Sequence, residues 1–363
     1  MGSPRLTAVA AGAVAALCFA APALPADPLP ATDAPAQTAA SPLRSWAAPQ
    51  IAAVVAAGLM GPDVASFRPD DALTRGALHK AILALGKRHR APLDPARLVS
   101  MRELDAQLVA AVGLLPSARS IRLEARDGGL EPVDRLGTET IARLLGLRLN
   151  HAAGSEQLER APNMPASRAE AAYSLAKLQL LDASRLAAVQ QVAATFAVPA
   201  LSEWQRSVLS RALRFVGFPY VFSGVSERTQ KLWSSSAPGG TITAPGGFDC
   251  SGFVWRVYKL QPFDTAPLLA GVLKGRTTYA MSGEVRRPLR IDGALVAPGD
   301  VIFFGARGRR SKPTEVGHMG IYVGSGWFVH SSSGGVTLQP LQGWYASTLA
   351  WARRPLAEAG LSV

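Results

Sequence analysis

Gly246-Gly247-Phe248-Asp249-Cys250-Ser251-Gly252-Phe253-Val254 is the stretch from which the rest of the chain can be read. A glycine-rich approach ends at an Asp-Cys-Ser step, and an apolar run follows (Phe253, Val254, Trp255, Val257, Tyr258, Leu260). The pattern predicts a helix that begins at or near Cys250, where free backbone N–H groups and the helix dipole favour an anion. A thiolate is the reactive form of cysteine, and such a position lowers its pKa. Taken alone, a single cysteine is more often a buried structural residue. The sequence around it has to decide.

The compartment comes first. Arg5 supplies a short positive start, Leu6 to Ala21 form an apolar run, and Ala21-Pro22-Ala23 offers a small-x-small cleavage site. Residues 1–26 therefore read as a signal peptide, predicting a secreted protein of the cell wall or cell surface with no membrane span left after cleavage. Cys18 leaves with the signal, so Cys250 is expected to be the sole cysteine of the mature chain. An unpaired thiol in an oxidising compartment forms no internal disulfide, which favours a chemical role over a structural one. Residues 27–43, rich in Pro, Ala, Thr and Ser, read as a linker.

The 363 residues suffice for two domains with cores of their own. The formal net charge of +12 points to anionic surroundings. It is spread along the chain without Lys/Arg blocks interleaved with aromatics, so nucleic acid is not the expected partner. From Trp46 apolar residues recur at helical spacing (Ile51, Val54, Val55, Leu59; then Leu78, Ile82, Leu85), and helical runs continue around 98–115, 138–147 and 168–196. Residues 44–197 are expected to be all-α. Pro199 breaks the pattern, and residues 203–357 form the second domain. There a helix (204–215) and the Cys250 helix precede strand-like runs at 300–304, 318–323, 327–330 and 336–341, an α+β arrangement. Residues 223–247 and 261–298 read mostly as loop.

A cysteine nucleophile needs a base and a group to orient that base. His318 and His330 are the histidines of this half, and both fall in strand-like runs separated by Gly324-Ser325-Gly326. In a hairpin with that turn, His318 lies opposite residue 330 or 332. The separation of twelve is even, so both imidazoles point to one face, within hydrogen-bonding reach of each other. Two histidines on adjacent strands can also bind a metal. No third His, Cys or acid joins them at a ligand-like spacing, and His79, His89 and His151 form no such set either, so neither a metal nor another cofactor is expected.

The order Phe218-Pro219-Tyr220-Val221, Asp249-Cys250-Ser251-Gly252, Arg276-Thr277-Thr278, Pro298-Gly299-Asp300-Val301, Gly317-His318-Met319-Gly320 and Phe328-Val329-His330-Ser331 resembles the NlpC/P60 family of papain-like cysteine peptidases. The resemblance spans about residues 204–355. It implies helices packed on an antiparallel sheet, Cys250 as nucleophile, His318 as base and acid, and His330 as the orienting third residue. It also places Tyr220, with Asp249 and Ser251 beside the thiol, around the substrate and its oxyanion. The implied substrate is the peptidoglycan stem peptide, cleaved between γ-D-glutamate and diaminopimelate or lysine. Phe222-Ser223 stands where the family often has Trp-Gly, and the 223–247 and 261–275 segments are long, which concerns the pocket walls rather than the triad.

In the helical half, Trp46-Ala47, Gly58-Leu59, Phe67-Arg68-Pro69-Asp70 and Leu73-Thr74-Arg75 resemble an S-layer homology repeat, with Pro165–Ala172 similar to the closing helix of a second one. That resemblance implies binding of anionic wall polysaccharide, although Ala77 stands where the family has an acid. A helical spacer without a ligand is the alternative there. For the whole protein the alternative is a wall-binding or scaffold protein whose peptidase-like domain is latent or inactive.

Overall fold

A computed structural model describes residues 45–152, 154–233 and 239–362. The signal peptide and the 27–43 linker lie outside the described residues. Among the described residues seven α-helices build the first half: α1 Ala48–Ala56, α2 Arg75–Ala84, α3 Met101–Ala111, α4 Leu115–Asp127, α5 Leu136–Leu144, α6 Arg168–Gln179 and α7 Ala183–Ala194.

Three of these helices start alike. Leu73-Thr74-Arg75, Val99-Ser100-Met101 and Ala166-Ser167-Arg168 each place a hydroxyl residue at the N-cap. The Thr74 and Ser167 hydroxyls accept the N–H of Ala77 and Glu170, and the Ser100 N–H donates to Glu103 Oε2. The residues just before the caps close a backbone ring: Leu73 N–H donates to Ala166 O (2.8 Å), Ala166 N–H to Val99 O (2.8 Å) and Val99 N–H to Leu73 O (2.9 Å). Two repeat-like starts were legible in the sequence; the middle one was hidden because Met101 stands where the others carry arginine. Helix α4 was also missed. Its apolar contribution is only Ala118, Ile121 and Ala125, too sparse a stripe to stand out.

The second half comprises α8 Glu203–Leu213, β1 Val225–Ser226, β2 Gln230–Trp233, β3 Thr241–Ala244, β4 Gly247–Phe248, α9 Cys250–Tyr258, α10 Leu269–Val272, α11 Thr278–Gly283, β5 Val301–Gly305, β6 Val316–Gly324, β7 Trp327–Ser332, β8 Gly335–Pro340, α12 Trp344–Thr348, β9 Leu349–Arg353 and α13 Pro355–Glu358. Five strands form an antiparallel sheet in the order β8-β7-β6-β5-β9. The α+β class read from the sequence is the observed one. Strand β9 was not foreseen, since Leu-Ala-Trp-Ala-Arg is short and alanine-rich, and only pairing with β5 makes it a strand.

The 223–247 segment departs from its reading as an irregular loop. It holds two antiparallel pairs, β1 with β4 and β2 with β3. The Gln230 side chain stitches them together, accepting from Val225 N–H (3.0 Å) and donating to Gly247 O (2.9 Å). Ser, Thr and Gly composition concealed these strands, which acquire their state from backbone pairing.

One apolar cluster runs through both halves, from Ile51 and Leu104 to Val257, Ile321 and Leu338. At the junction Phe196 meets the buried Trp327 edge-on at 5.3 Å, worth about 0.5–1.5 kcal/mol beyond the area buried. Trp327 Nε1 donates to Thr195 Oγ1 at 3.2 Å. The opposite sheet face carries a smaller aromatic cluster of Ile302, Phe304, Phe328, Tyr345 and Ala352.

Candidate active site

Helix α9 begins at Cys250 because Asp249 caps it: the Asp249 side chain accepts the Gly252 N–H. Arg276 holds that carboxylate from the other side, with Nη2 3.0 Å from Asp249 Oδ2 and Nη1 2.7 Å from Ser251 Oγ. Ser251 Oγ in turn donates to Asp249 Oδ1 at 2.9 Å. Asp249 and Ser251 are thus engaged in bracing the helix start, while the thiol sits at the first helical position, 4 % exposed. Its Sγ lies 3.5 Å from Thr278 Oγ1, at the start of α11.

The two histidines come from the sheet. The β6–β7 register pairs Ile321 with Val329 and Tyr322 with Phe328, which extends to His318 opposite Ser332 and diagonal to His330. His318 Nε2 and His330 Nδ1 are 2.7 Å apart. His330 is fully buried and stacks on Phe328 with centroids 4.5 Å apart. The pair shares its face with the aromatic cluster, and Phe304 lies 5.6 Å from His318. Helix α9 packs against β6 and β7. A direct tether joins the two components: Ser331 Oγ, next to His330, donates to Phe248 O, two residues before Cys250, at 2.6 Å. Tyr220 reaches the same place through a bridge to Phe248.

Burial sets the electrostatics. Desolvation pushes the His318 pKa down to about 3. His330 is also well below the usual histidine value, first through burial and then through the charge of His318, with Gln339 favouring its protonated form. Both imidazoles are therefore neutral at pH 7.

Two residues of this site were not assigned a place from the sequence. Tyr345 on α12 stands 5.9 Å from the His318 ring and 5.0 Å from the His330 ring. Burial pushes its phenol up to about 12, hydrogen bonds to Ser332 and Gln339 oppose that, and negative charge at Cys250 adds to it. Thr278 was visible only as part of a motif. Neither has a spacing signal, because the fold brings them in from α12 and α11. No group of three or more His, Cys, Asp or Glu that could hold a metal occurs among the described residues, and none of their helices is long and apolar enough to cross a membrane.

Comparison with known proteins locates the two parts. The NlpC/P60 family pattern matches residues 217–354, and the S-layer homology domain pattern matches residues 44–78. The second repeat-like stretch at 165–172 lies beyond the latter match. The probable peptidoglycan endopeptidase LytE of Bacillus subtilis is 36 % identical over 107 residues, covering 30 % of this chain and 26 % of LytE. The murein DD-endopeptidase MepH of Escherichia coli is 29 % identical over 131 residues, covering 36 % of this chain and 37 % of MepH. The chain thus spans between a quarter and two fifths of these relatives' lengths. A crystal structure of an NlpC/P60 family protein from Bacillus cereus aligns with 24 % identity and a TM-score of 0.30, covering 45 % of this chain and 43 % of that one. The chain carries an NlpC/P60 domain at residues 217–354, preceded by an S-layer homology domain at residues 44–78.

Proposed function

We propose that this protein is a secreted cysteine endopeptidase of peptidoglycan stem peptides. The observation that carries the reading is the 2.7 Å contact between His318 Nε2 and His330 Nδ1 on a sheet packed against the helix that begins at Cys250. With Nε2 of His318 donating to His330, Nδ1 of His318 is left as the base. It takes the Cys250 proton, and the thiolate attacks the scissile carbonyl. The Cys250 backbone N–H at the helix start and Tyr220 receive the oxyanion. His318 returns the proton to the leaving amine, giving a thioester that water hydrolyses with His318 again as base. No cofactor takes part.

The proposed bond joins γ-D-glutamate to diaminopimelate or lysine. The test is mass spectrometry of fragments released from purified peptidoglycan. Fragments with a new amino terminus at the third stem residue are expected. Fragments cut only at the D,D cross-link, the bond type after which the murein DD-endopeptidase MepH is named, would overturn the proposed bond but leave the chemistry standing.

Residues 1–26 are proposed to direct export, and the two domains are proposed to span 44–197 and 203–357. The helical one is proposed to hold the enzyme at wall polysaccharide. A protein that binds walls without cutting them is the competing reading. Helical residues 73–75, 99–101 and 166–168, closed into a ring, favour a built binding module, whereas the paired histidines favour catalysis.

Two results follow from the geometry. His330 leaves no room opposite it for anything larger than hydrogen: a Cβ on Gly320 would lie 2.9 Å from His330 Cβ, Phe328 Cδ2 and Val329 O alike. Gly320→Ala is expected to displace the imidazole and lower kcat/KM about 10–100-fold. Gly271→Ala, where a Cβ meets nothing within 4 Å, is the control and should leave kcat/KM unchanged.

The second concerns pH. A base whose pKa is lowered to about 3 stays unprotonated as pH falls through 6.5. The acid limb of kcat/KM is therefore expected well below pH 6, and a profile between pH 4 and 8 that halves near 6.5 would contradict the burial of His318 in the working enzyme.

A further inference from the structure

The helical half reaches into the peptidase half with its own side chains. The Arg143 guanidinium donates to Gly217 O (2.8 Å) and Gly334 O (2.7 Å), and Arg135 Nε donates to Val216 O (2.9 Å). These bonds grip the turn between β7 and β8 and the backbone just before Phe218. Two residues on, Asn150 Oδ1 accepts the Tyr220 N–H at 2.8 Å across 70 residues of sequence. Asn150 is itself held. Its Nδ2 donates to His151 O (3.2 Å), and the His151 N–H donates to Glu159 Oε1. The His151 ring stands edge-on to Trp46 at 4.6 Å, and its side chain is buried.

We propose that Asn150 is a positioning residue of the peptidase site, fixing Tyr220 beside the Cys250 helix start, so that the helical half is part of the active site as well as a wall anchor. The inference rests on the endopeptidase reading. Tyr220 bridges Phe248, and Phe248 O is the acceptor for Val221 N–H (3.2 Å) and for Ser331 Oγ (2.6 Å) beside His330. Three pieces of the site therefore meet at Phe248, and Asn150 sets the one that carries a phenol. Without the Asn150 acceptor the Tyr220 amide loses that hydrogen bond, and the turn is held to Phe248 by the bridge alone, which lets the ring shift from its place. A displacement of about 1 Å at a reacting centre costs on the order of 100-fold in rate.

The experiment uses the full chain and combines Asn150→Ala, Asn150→Asp and Tyr220→Phe. Asn150→Ala is expected to lower kcat about 10–100-fold with KM changed less than threefold. In the Tyr220→Phe background the same change is expected to lower kcat less than twofold, because the phenol it positions is already gone. Asn150→Asp keeps an acceptor oxygen at the same reach but loses the Nδ2 donor to His151 O, and is expected to restore part of kcat. Wild-type kcat in Asn150→Ala, or an equal loss in both backgrounds, would overturn the inference. Hydrogen exchange of the 217–222 segment reads the contact without activity: Asn150→Ala should expose the Tyr220 amide to faster exchange, and unchanged protection would also overturn it. A wild-type protein that releases no fragments brings down the endopeptidase reading instead, and the exchange comparison still decides whether Asn150 holds Tyr220.

Discussion

Cys250→Ala is expected to abolish the release of fragments from peptidoglycan, by about 10⁴-fold or more, while leaving the fold intact. The size follows from the role: with no thiolate there is no acyl-enzyme, and the remaining hydrogen-bond donors supply only the small residual rate that orientation and oxyanion binding give. The fold should survive because the helix start does not depend on the thiol. Asp249 caps Gly252, and Arg276 holds Asp249 and Ser251. The 3.5 Å contact with Thr278 Oγ1 is lost without disturbing that brace. Cys250→Ser is expected to be nearly as inactive, since a hydroxyl at this position is far less acidic than a thiol. Fragment analysis by mass spectrometry, with circular dichroism as the folding control, checks both. Fragment release by Cys250→Ala within tenfold of wild type would sink the thiol mechanism and leave the wall-binding reading in possession.

Arg143→Ala is expected to be the most damaging single change to stability, at about 3–5 kcal/mol. The Arg143 side chain is 3 % exposed and pairs with Glu139, 1 % exposed, one helical turn away. Truncation strands a buried carboxylate whose Oε1 already lacks a hydrogen-bond partner, and it frees two backbone carbonyls, those of Gly217 and Gly334. For a chain of 363 residues the loss corresponds to a fall in Tm of roughly 4–7 °C. Arg143→Lys should recover little, because one ammonium cannot reach three acceptors that a planar guanidinium serves at once. Arg122→Ala is the contrast. Its pair with Asp134 is largely solvent-exposed, and its removal should shift Tm by no more than about 2 °C. Calorimetry that found Arg143→Ala within that same limit would show that the junction between the halves contributes little to stability.

The order of chemistry along the chain was legible without coordinates. Cys250 at a capped helix start follows from Asp-Cys-Ser-Gly before an apolar run, and the shared face of His318 and His330 follows from an even spacing across a turn, because side chains alternate along a strand. The α+β class followed from helical runs giving way to alternating ones. Less regular elements were not legible. The middle helix start at Ser100 lacks the arginine of its counterparts, and α4 has too few apolar residues to show a stripe. Strands β2, β3 and β9 acquire their state from partners rather than from propensity.

Sequence alone therefore determined which residues are the candidates for this protein's chemistry, since local periodicity and capping act over a few residues and leave their pattern in the order of the side chains. Tertiary structure alone decided what surrounds them. Tyr345 comes to the histidines from α12, Thr278 to the thiol from α11, and Asn150 to Tyr220 from the other half of the chain. Such contacts join residues 15 to 70 positions apart with no periodic relation between them. They exist because burying both halves in one apolar cluster forces their polar groups to find partners across the junction.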